Sequence, residues 1–309
     1  MLLKQQTIWG WKVALDLFLA ATGAATFLLS FLFAYAGKLT EIAGLGTFVG
    51  TLLILVAAFF LVADLGAGAG DFASKIKARR MALLPNMRAW MLRGAIIVVL
   101  MLVFGLAYSI PTAFADSSPH IAIGIIAAVL SIAVILYTGF LLASSKGVPV
   151  WNTPMLPLLF LFSGLSTGIA IMVLISIATL NGVKLLETLQ LLGFIVIPVI
   201  CLILIMLGAY LETGSHGNEF VRESVRLLVK GRLAPLFWGI LIVVGLIVPL
   251  ILVATGAATL PVIGVINAVF LLLGGVYLRY LIIKSAIRTL ALPATGGQVT
   301  VAGWTQVAK

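Results

Sequence analysis

The sequence is poor in metal-binding residues and in charge. It contains one cysteine and two histidines, and only 9% of its 309 residues are charged. A four-cysteine iron–sulfur site or a zinc site cannot be built from Cys201 alone, and we expect it to be a small core residue. His120 and His216 are predicted at opposite ends of apolar segments, so they cannot hold one haem between them. We therefore expect no haem and no metal in this chain.

Hydrophobic residues dominate instead, at 63% of the chain with a mean hydropathy of +1.27. The apolar runs are about 20 residues long without strict alternation, which is typical of membrane-spanning helices rather than barrel strands. No small-residue cleavage site follows the first run, so it is expected to be a helix and not a signal peptide. We predict an all-α integral membrane protein with eight transmembrane helices, forming one domain over residues 1–309 as two four-helix bundles. The predicted spans are 13–36, 44–66, 91–112, 120–144, 155–180, 187–211, 235–258 and 261–283.

Positive charge is distributed unevenly between the two sides of this topology. An even number of spans places both termini on one side, together with seventeen of the nineteen lysines and arginines, Arg279 being assigned to the C-terminal tail. We call this side the basic face; the opposite side has only Lys38 and Lys184. The positive-inside rule predicts that the basic face is the cytoplasmic side of the inner membrane. The net charge of +10 then reflects topology, and no nucleic-acid partner is needed to explain it.

All six tryptophans are predicted at the basic face, whereas an ordinary aromatic belt populates both interfaces. Two interpretations remain open: simple interfacial anchoring, or packing against a soluble partner, where Trp and Arg are enriched. The loops 67–90 and 212–234 are long enough to support docking. The predicted docking residues are Trp9, Trp11, Arg88, Trp90 and Trp151.

Two polar side chains are predicted at similar depth below the basic face. Asp16 lies about a turn and a half into the first span, and Tyr137 about two turns inside the end of the fourth. They can face one another if these helices are neighbours. A carboxylate and a phenol suit a polar head group that exchanges protons, and the surrounding aliphatic residues suit an isoprenoid tail. Alternatively, Asp16 forms an ion pair with Lys12, four residues back on the same helix face.

Other polar residues at this face have structural as well as functional interpretations. Asp64 ends the second span and either braces the following glycine-rich turn or belongs to a proton route. Glu212 and His216 suit a proton-entry relay, or form a solvated loop pair. Asn152 is predicted to cap the fifth span, with Pro154 at the first helical position, and to contact a ligand in addition.

Several short patterns resemble those of a known family. They are Y-x-G-x-x-L-A from Tyr137, P-x-W-N-x-P from Pro149, S-G-L-S-x-G from Ser163, W-x-W-x-x-A-L-x-x-F-L from Trp9, and A-D-L-G from Ala63. The sequence resembles the NrfD-like family, the membrane subunits of polysulfide reductase and related molybdopterin oxidoreductases. The chain resembles the family over most of its length and in its number of spans. The matching residues themselves are confined to these five short patterns.

The resemblance implies a haem-free, eight-helix anchor that binds menaquinone or a similar quinone. It also implies a ferredoxin-like iron–sulfur subunit, which exchanges electrons with a molybdopterin catalytic subunit. Tyr137 matches the family's quinone-contacting tyrosine, and Asp16 stands where polysulfide reductase has a quinone-contacting histidine. Well-known members place this face outside the cytoplasm, whereas the basic loops here predict that the partners are cytoplasmic.

We therefore predict a quinone-reactive subunit that does not itself act on the complex's substrate. The predicted quinone-binding residues are Asp16, Tyr137, Trp151 and Asn152. The predicted proton route consists of Asp16, Asp64, Glu212 and His216. The alternatives are a proton- or cation-coupled transporter that uses Asp16 and Asp64, and a purely structural membrane anchor. The nearly uncharged central layers of the spans argue against a transporter.

Overall fold

A computed structural model describes residues 4–6, 9–65, 90–115, 120–145, 147–288, 299–301 and 304–306. Eight helices in these ranges are long and apolar enough to cross a membrane. Two predicted site residues lie outside the description, since Arg88 falls in a gap and only the backbone of Asp64 is described. The fold is therefore that of a multi-pass helical membrane protein, as the composition predicts.

The described residues form eight candidate spans, the predicted number, and the helix ends differ from the predicted span ends by little more than one helical turn. The helices are α1 (Trp11–Tyr35), α2 (Thr40–Leu65), α3 (Trp90–Phe114), α4 (Ile121–Ala143), α5 (Met155–Thr179), α6 (Gly182–Ser215), α7 (Glu219–Val229), α8 (Leu236–Ala254) and α9 (Pro261–Lys284). All except α7 are spans. Helix α6 extends past its predicted apolar run at both ends.

Helix α7 corrects the prediction that residues 212–234 form a loop. Its N-terminus is capped by Asn218, whose Oδ1 accepts a hydrogen bond from the backbone N–H of Val221 at 3.0 Å. Val225 and Leu228 are buried, while the basic residues Arg222 and Arg226 are exposed. A hydropathy pattern detects spans but not a short amphipathic helix of this kind.

Helix α8 also departs from a regular span. Its first part, Leu236–Ile247, is a π-helix, and the α-helical part ends at Ala254 rather than at 258. The chain then turns at Gly256, whose φ of +74° favours glycine. The π-helical part packs closely on α9, since a Cβ on Gly245 would lie 2.5 Å from the Cα of Gly274.

The spans form the predicted pair of four-helix bundles. Helices α1 to α4 pack as one ring, and α5, α6, α8 and α9 pack as a second. Helix α1 also contacts α5 and α9, so it joins the bundles. Small residues permit these contacts: Gly23 and Gly50 bring the backbones of α1 and α2 together, and Gly168 packs on Ala25.

Two short antiparallel strand pairs lie outside the spans. β1 (Lys4–Gln5) pairs with β2 (Ile287–Arg288), and β3 (Val299–Val301) pairs with β4 (Trp304–Gln306). The first pair joins the segment before α1 to the segment after α9. It therefore fixes both ends of the membrane domain together on the basic face.

Candidate functional site

Asp16 and Tyr137 come together between α1 and α4. The two helices pack against each other, as they must if Asp16 and Tyr137 are to face one another. Both side chains are buried, with 8% of Asp16 and 4% of Tyr137 exposed. The Asp16 carboxylate lies close enough to act electrostatically on the Tyr137 hydroxyl. Lys12, the alternative partner of Asp16, lies exposed one turn nearer the start of the helix.

The Tyr137 hydroxyl is buried without a hydrogen-bond partner among the described residues. Tyr210 offers a contrast, because its buried hydroxyl donates to the carbonyl oxygen of Val150 at 3.2 Å. Leaving a buried polar group unpaired costs about 1–3 kcal/mol. The Tyr137 hydroxyl is thus a buried donor that no described residue satisfies.

Helix α3 forms a third wall of this site, which the sequence did not predict. Gly94 lies against the Tyr137 ring, so that a Cβ there would overlap it. Near the start of the same helix, Trp90 stacks on Phe140 of α4 with ring centroids 5.1 Å apart. The Arg93 guanidinium lies over the Trp90 ring, 5.4 Å from its centroid. A single glycine at the start of an apolar run carries no sequence signal for such a contact.

Trp151 is buried at a junction of three segments. It is 3% exposed, and its indole N–H donates to the carbonyl oxygen of Ile282 at 3.0 Å. Its ring stacks on Trp9 at 5.3 Å, and buried Gln6 links Trp9 to the end of α9 through hydrogen bonds to the carbonyl oxygens of Trp9 and Ile283. At 3% exposure, the Trp151 side chain offers little surface for the docking contact that was predicted for it.

Asn152 does not cap α5, contrary to the prediction. The helix begins without a side-chain cap, and the nearest substitute is Thr153, whose Oγ1 accepts from the Met155 N–H at 3.4 Å. Asn152 ends a 3₁₀ turn over Pro149–Trp151, and the N-cap position of the helix is taken by Pro154. Its side chain is exposed instead.

Asn152 lines an open pocket of about 480 Å³ on the basic face. The pocket lies between the α4–α5 connection, the end of α6 and the start of α7. Its walls are neutral, with hydroxyl, amide and aliphatic groups. They are formed by Pro149, Val150, Asn152, Thr153, Tyr210, Thr213, Gly214, Gly217, Asn218 and Val221.

Glu212 and His216 lie beside this pocket and are largely exposed. His216 Nδ1 is 3.5 Å from Glu212 Oε1, in the i, i+4 arrangement expected at a helix end. They belong to α6 of the second bundle, whereas Asp16 and Tyr137 belong to the first. The structure therefore does not bring the members of the predicted proton route into one cluster, and the side chain of Asp64 lies outside the description.

The tryptophans predicted to dock a partner differ in exposure. Trp11 is 58% exposed, while Trp9 and Trp90 are half-buried. The surrounding basic face keeps a positive character through exposed cations. These include Lys12, Arg93, Arg222, Arg226, Lys230, Arg232 and Arg288.

Arg279 is a charged residue of the bundle interior. It is fully buried within α9, so its assignment to the C-terminal tail is wrong. Its Nη1 donates to Ser163 Oγ at 3.0 Å and to the Gly275 carbonyl oxygen at 2.9 Å. The guanidinium carbon lies 5.0 Å from the centroid of the Phe160 ring and 5.8 Å from that of Phe18. Its position inside the apolar run 261–283 was the available signal.

Comparison with known proteins identifies the family. Residues 2–291 match the family model described as polysulphide reductase, NrfD, so the chain belongs to the NrfD family. One stretch of 133 residues is 37% identical to the C polypeptide of polysulfide reductase from Wolinella succinogenes, covering 41% of each protein. Another of 128 residues is 37% identical to protein NrfD of Escherichia coli (strain K12), covering 40% of this chain and 39% of that protein. The matched regions thus span about two fifths of these relatives' lengths.

Proposed function

We propose that this chain is the quinone-reactive membrane subunit of an oxidoreductase complex. The observation that carries the proposal is the buried, unpaired Tyr137 hydroxyl beside the Asp16 carboxylate. A quinone carbonyl oxygen would supply the missing acceptor, and the surrounding apolar side chains suit its ring and tail. Membership of the NrfD family supports the same function, since one relative is named as a polypeptide of polysulfide reductase.

In this proposal a menaquinone or similar quinone supplies the two-electron chemistry, and the chain binds it and handles its protons. Tyr137 donates a hydrogen bond to a carbonyl oxygen and so orients the ring. Asp16 holds a proton at its carboxyl group or releases it, within reach of the same head group. The hydroxyl is enclosed, so binding requires neighbouring side chains to move aside.

We propose that Trp151 acts indirectly, by holding the α4–α5 connection against the end of α9. Asn152 faces the open pocket, where it can contact a partner or the edge of a ligand. Asp64 and the Glu212–His216 pair remain proposed members of a route that supplies protons to Asp16. Glu212 and His216 would serve as its solvent-exposed entrance.

The soluble partners are proposed to dock on the basic face, on the cytoplasmic side. A ferredoxin-like iron–sulfur subunit would contact the exposed Trp11 and the Trp90–Arg93 pair, and would pass electrons to or from a molybdopterin catalytic subunit. The exposed basic residues and aromatic rings of this face suit a protein interface. Arg88, which lies outside the described residues, is a further proposed contact.

The test is Tyr137→Phe in the purified complex, measured with a menaquinol analogue and separately with an artificial dye that delivers electrons directly to the soluble subunits. We expect kcat/KM for the quinol to fall about tenfold or more, which corresponds to about 1.4 kcal/mol, with dye-coupled turnover unchanged. Tyr35→Phe is the control, since Tyr35 is exposed at the opposite end of α1. Unchanged quinol kinetics would contradict the proposal.

Two further measurements separate the alternatives. Asp16→Asn should impair quinol turnover in the same assay, whereas a transporter would show substrate uptake in proteoliposomes that depends on Asp16 without any electron donor. Solvent extraction of the purified complex should yield bound quinone. A structural anchor would yield none, and would tolerate both substitutions.

A further inference from the structure

Asn267 of α9 is a polar side chain inside the second bundle. It is 4% exposed, and its Oδ1 atom has no hydrogen-bond partner among the described residues. The residue lies about 9 Å into the span from Pro261, on the side of the membrane domain opposite the basic face. A buried amide oxygen without a donor is unfavourable, and in an apolar span it calls for a partner.

A small cavity adjoins this amide. Its volume is about 20 Å³, and Asn267 is the one residue with a polar side chain among the described residues that line it. The rest of the lining consists of aliphatic residues and glycines from α5, α6, α8, α9 and the turn between the last two. All four helices of the second bundle therefore meet at this cavity. A cavity of this size with polar partners has room for one water molecule, whereas a wholly apolar one stays dry.

The turn between α8 and α9 brings a second acceptor to the same place. Ala258 belongs to a 3₁₀ turn, Ala257–Thr259, and lines the cavity. Pro261, three residues on, has no N–H group to donate to the Ala258 carbonyl oxygen, and no described backbone N–H outside the regular helices donates to it. Two acceptors without donors therefore belong to residues that line one cavity.

Gly264 allows this carbonyl group to approach α9. A Cβ at Gly264 would lie 2.9 Å from the Ala258 carbonyl oxygen, so a side chain there would push the turn away. Gly264 and Asn267 are neighbours on one face of the helix, with Cβ positions about 5–6 Å apart. The carbonyl oxygen thus approaches α9 about one turn before Asn267. A water molecule that donates to two acceptors spans about 5 Å between them, which is close to one helical turn.

We propose that one water molecule in this cavity donates hydrogen bonds to Asn267 Oδ1 and to the Ala258 carbonyl oxygen, and that this bridge holds the α8–α9 turn against α9. Water supplies two protons, one for each acceptor. A metal cation would need several more oxygen ligands than the described wall offers. The site lies in the second bundle, so the inference does not depend on quinone binding between α1 and α4.

A density map and a stability measurement test the two parts of this inference. A high-resolution map of the full-length chain, with the subunits that copurify, should show one water within hydrogen-bond distance of both acceptors. Asn267→Leu keeps the approximate size of the side chain but removes the amide, so the water loses an anchor. We expect the equilibrium constant for unfolding in mixed SDS micelles, followed by labelling of Cys201, to rise about tenfold.

Asn181→Leu is the matched control for this substitution. Asn181 is exposed on the same side of the membrane domain, and its side chain makes no capping hydrogen bond, so the unfolding constant should change less than about twofold. Gly264→Ala attacks the bridge from the carbonyl side. In a double-mutant cycle with Asn267→Leu the two effects should be less than additive, because each substitution breaks the same bridge.

Several results would overturn the inference. An Asn267→Leu variant at least as stable as wild type would mean that the bridge contributes nothing, since removal of an unpaired polar group is neutral or stabilising. Strictly additive effects in the cycle would lead to the same conclusion. Xenon density in the cavity of wild-type crystals would show that it is dry. A map in which Asn267 Nδ2 donates directly to the Ala258 carbonyl oxygen, or in which a lipid head group fills the site, would exclude the water.

Discussion

Gly94 of α3 lies against the ring of Tyr137 of α4, with no room for a side chain between them. The phenol thus packs against the glycine backbone on α3, and Asp16 on α1 lies within electrostatic range of its hydroxyl. A ring enclosed in this way keeps its hydroxyl at one position, which suits a group that must orient a ligand. The depth of Tyr137 in the bundle is therefore fixed by packing as well as by its place in the sequence.

Gly94→Ala should move the Tyr137 ring and weaken quinol turnover. The added methyl group overlaps the ring, so either the ring rotates or α3 shifts, and a displaced hydroxyl no longer meets its acceptor. We expect kcat/KM for a menaquinol analogue to fall about tenfold. Gly208→Ala is the matched control, because a Cβ at that position on α6 meets no atom within 4 Å. Equal activity of both variants would show that the ring position is not critical.

The two buried tyrosines should respond differently to loss of their hydroxyl groups. Tyr137→Phe removes an unpaired hydroxyl, so the free energy of unfolding should stay unchanged or increase. Tyr210→Phe leaves the Val150 carbonyl oxygen without its partner and should lower the free energy of unfolding by about 1 kcal/mol. Unfolding in mixed SDS micelles can be followed by thiol labelling, because Cys201 is the only cysteine and is partly buried. A destabilised Tyr137→Phe variant would indicate that the hydroxyl has a structural partner.

A hydrogen bond between buried threonines should couple the two bundles. The hydroxyls of Thr22 on α1 and Thr167 on α5 lie 2.8 Å apart, next to the close contact of Gly168 with α1. Replacing each threonine by valine, singly and together, gives a double-mutant cycle. We expect a coupling energy of about 0.5–1.5 kcal/mol in the unfolding assay. Additive effects of the two substitutions would mean that the bond contributes nothing to the association of the bundles.

Sequence patterns predicted the spans because a long, continuous apolar run crosses a bilayer as a helix, which satisfies its own backbone hydrogen bonds. They also predicted that Asp16 and Tyr137 lie at one level, since depth follows from counting residues along a helix. Counting does not fix rotation about the helix axis, so it could not show that Arg279, within the predicted span 261–283, points into the bundle. Its orientation depends on Ser163 and Phe160, which are far away in the sequence.

The same limit applies to the loop that follows α4. The letters around Trp151 indicate a turn, but they do not indicate that its indole reaches the Ile282 carbonyl oxygen, 131 residues away. Contacts between residues so far apart in the sequence depend on the packing of α5 against α9. Asn152 was expected to cap the next helix from local spacing alone, but it ends a 3₁₀ turn, and Pro154 takes the N-cap position.

Trp151→Phe should destabilise the basic face without removing its aromatic stack. Phenylalanine keeps a ring against Trp9 but cannot donate to the Ile282 carbonyl oxygen, which then stays buried and unpaired. The expected loss is about 1–3 kcal/mol in the free energy of unfolding. Trp238→Phe removes a similar bond, from the indole N–H to the Val229 carbonyl oxygen at 3.1 Å, but at an exposed position where water can replace it. It should therefore cost much less, and equal losses would show that burial does not determine the strength of the Trp151 contact.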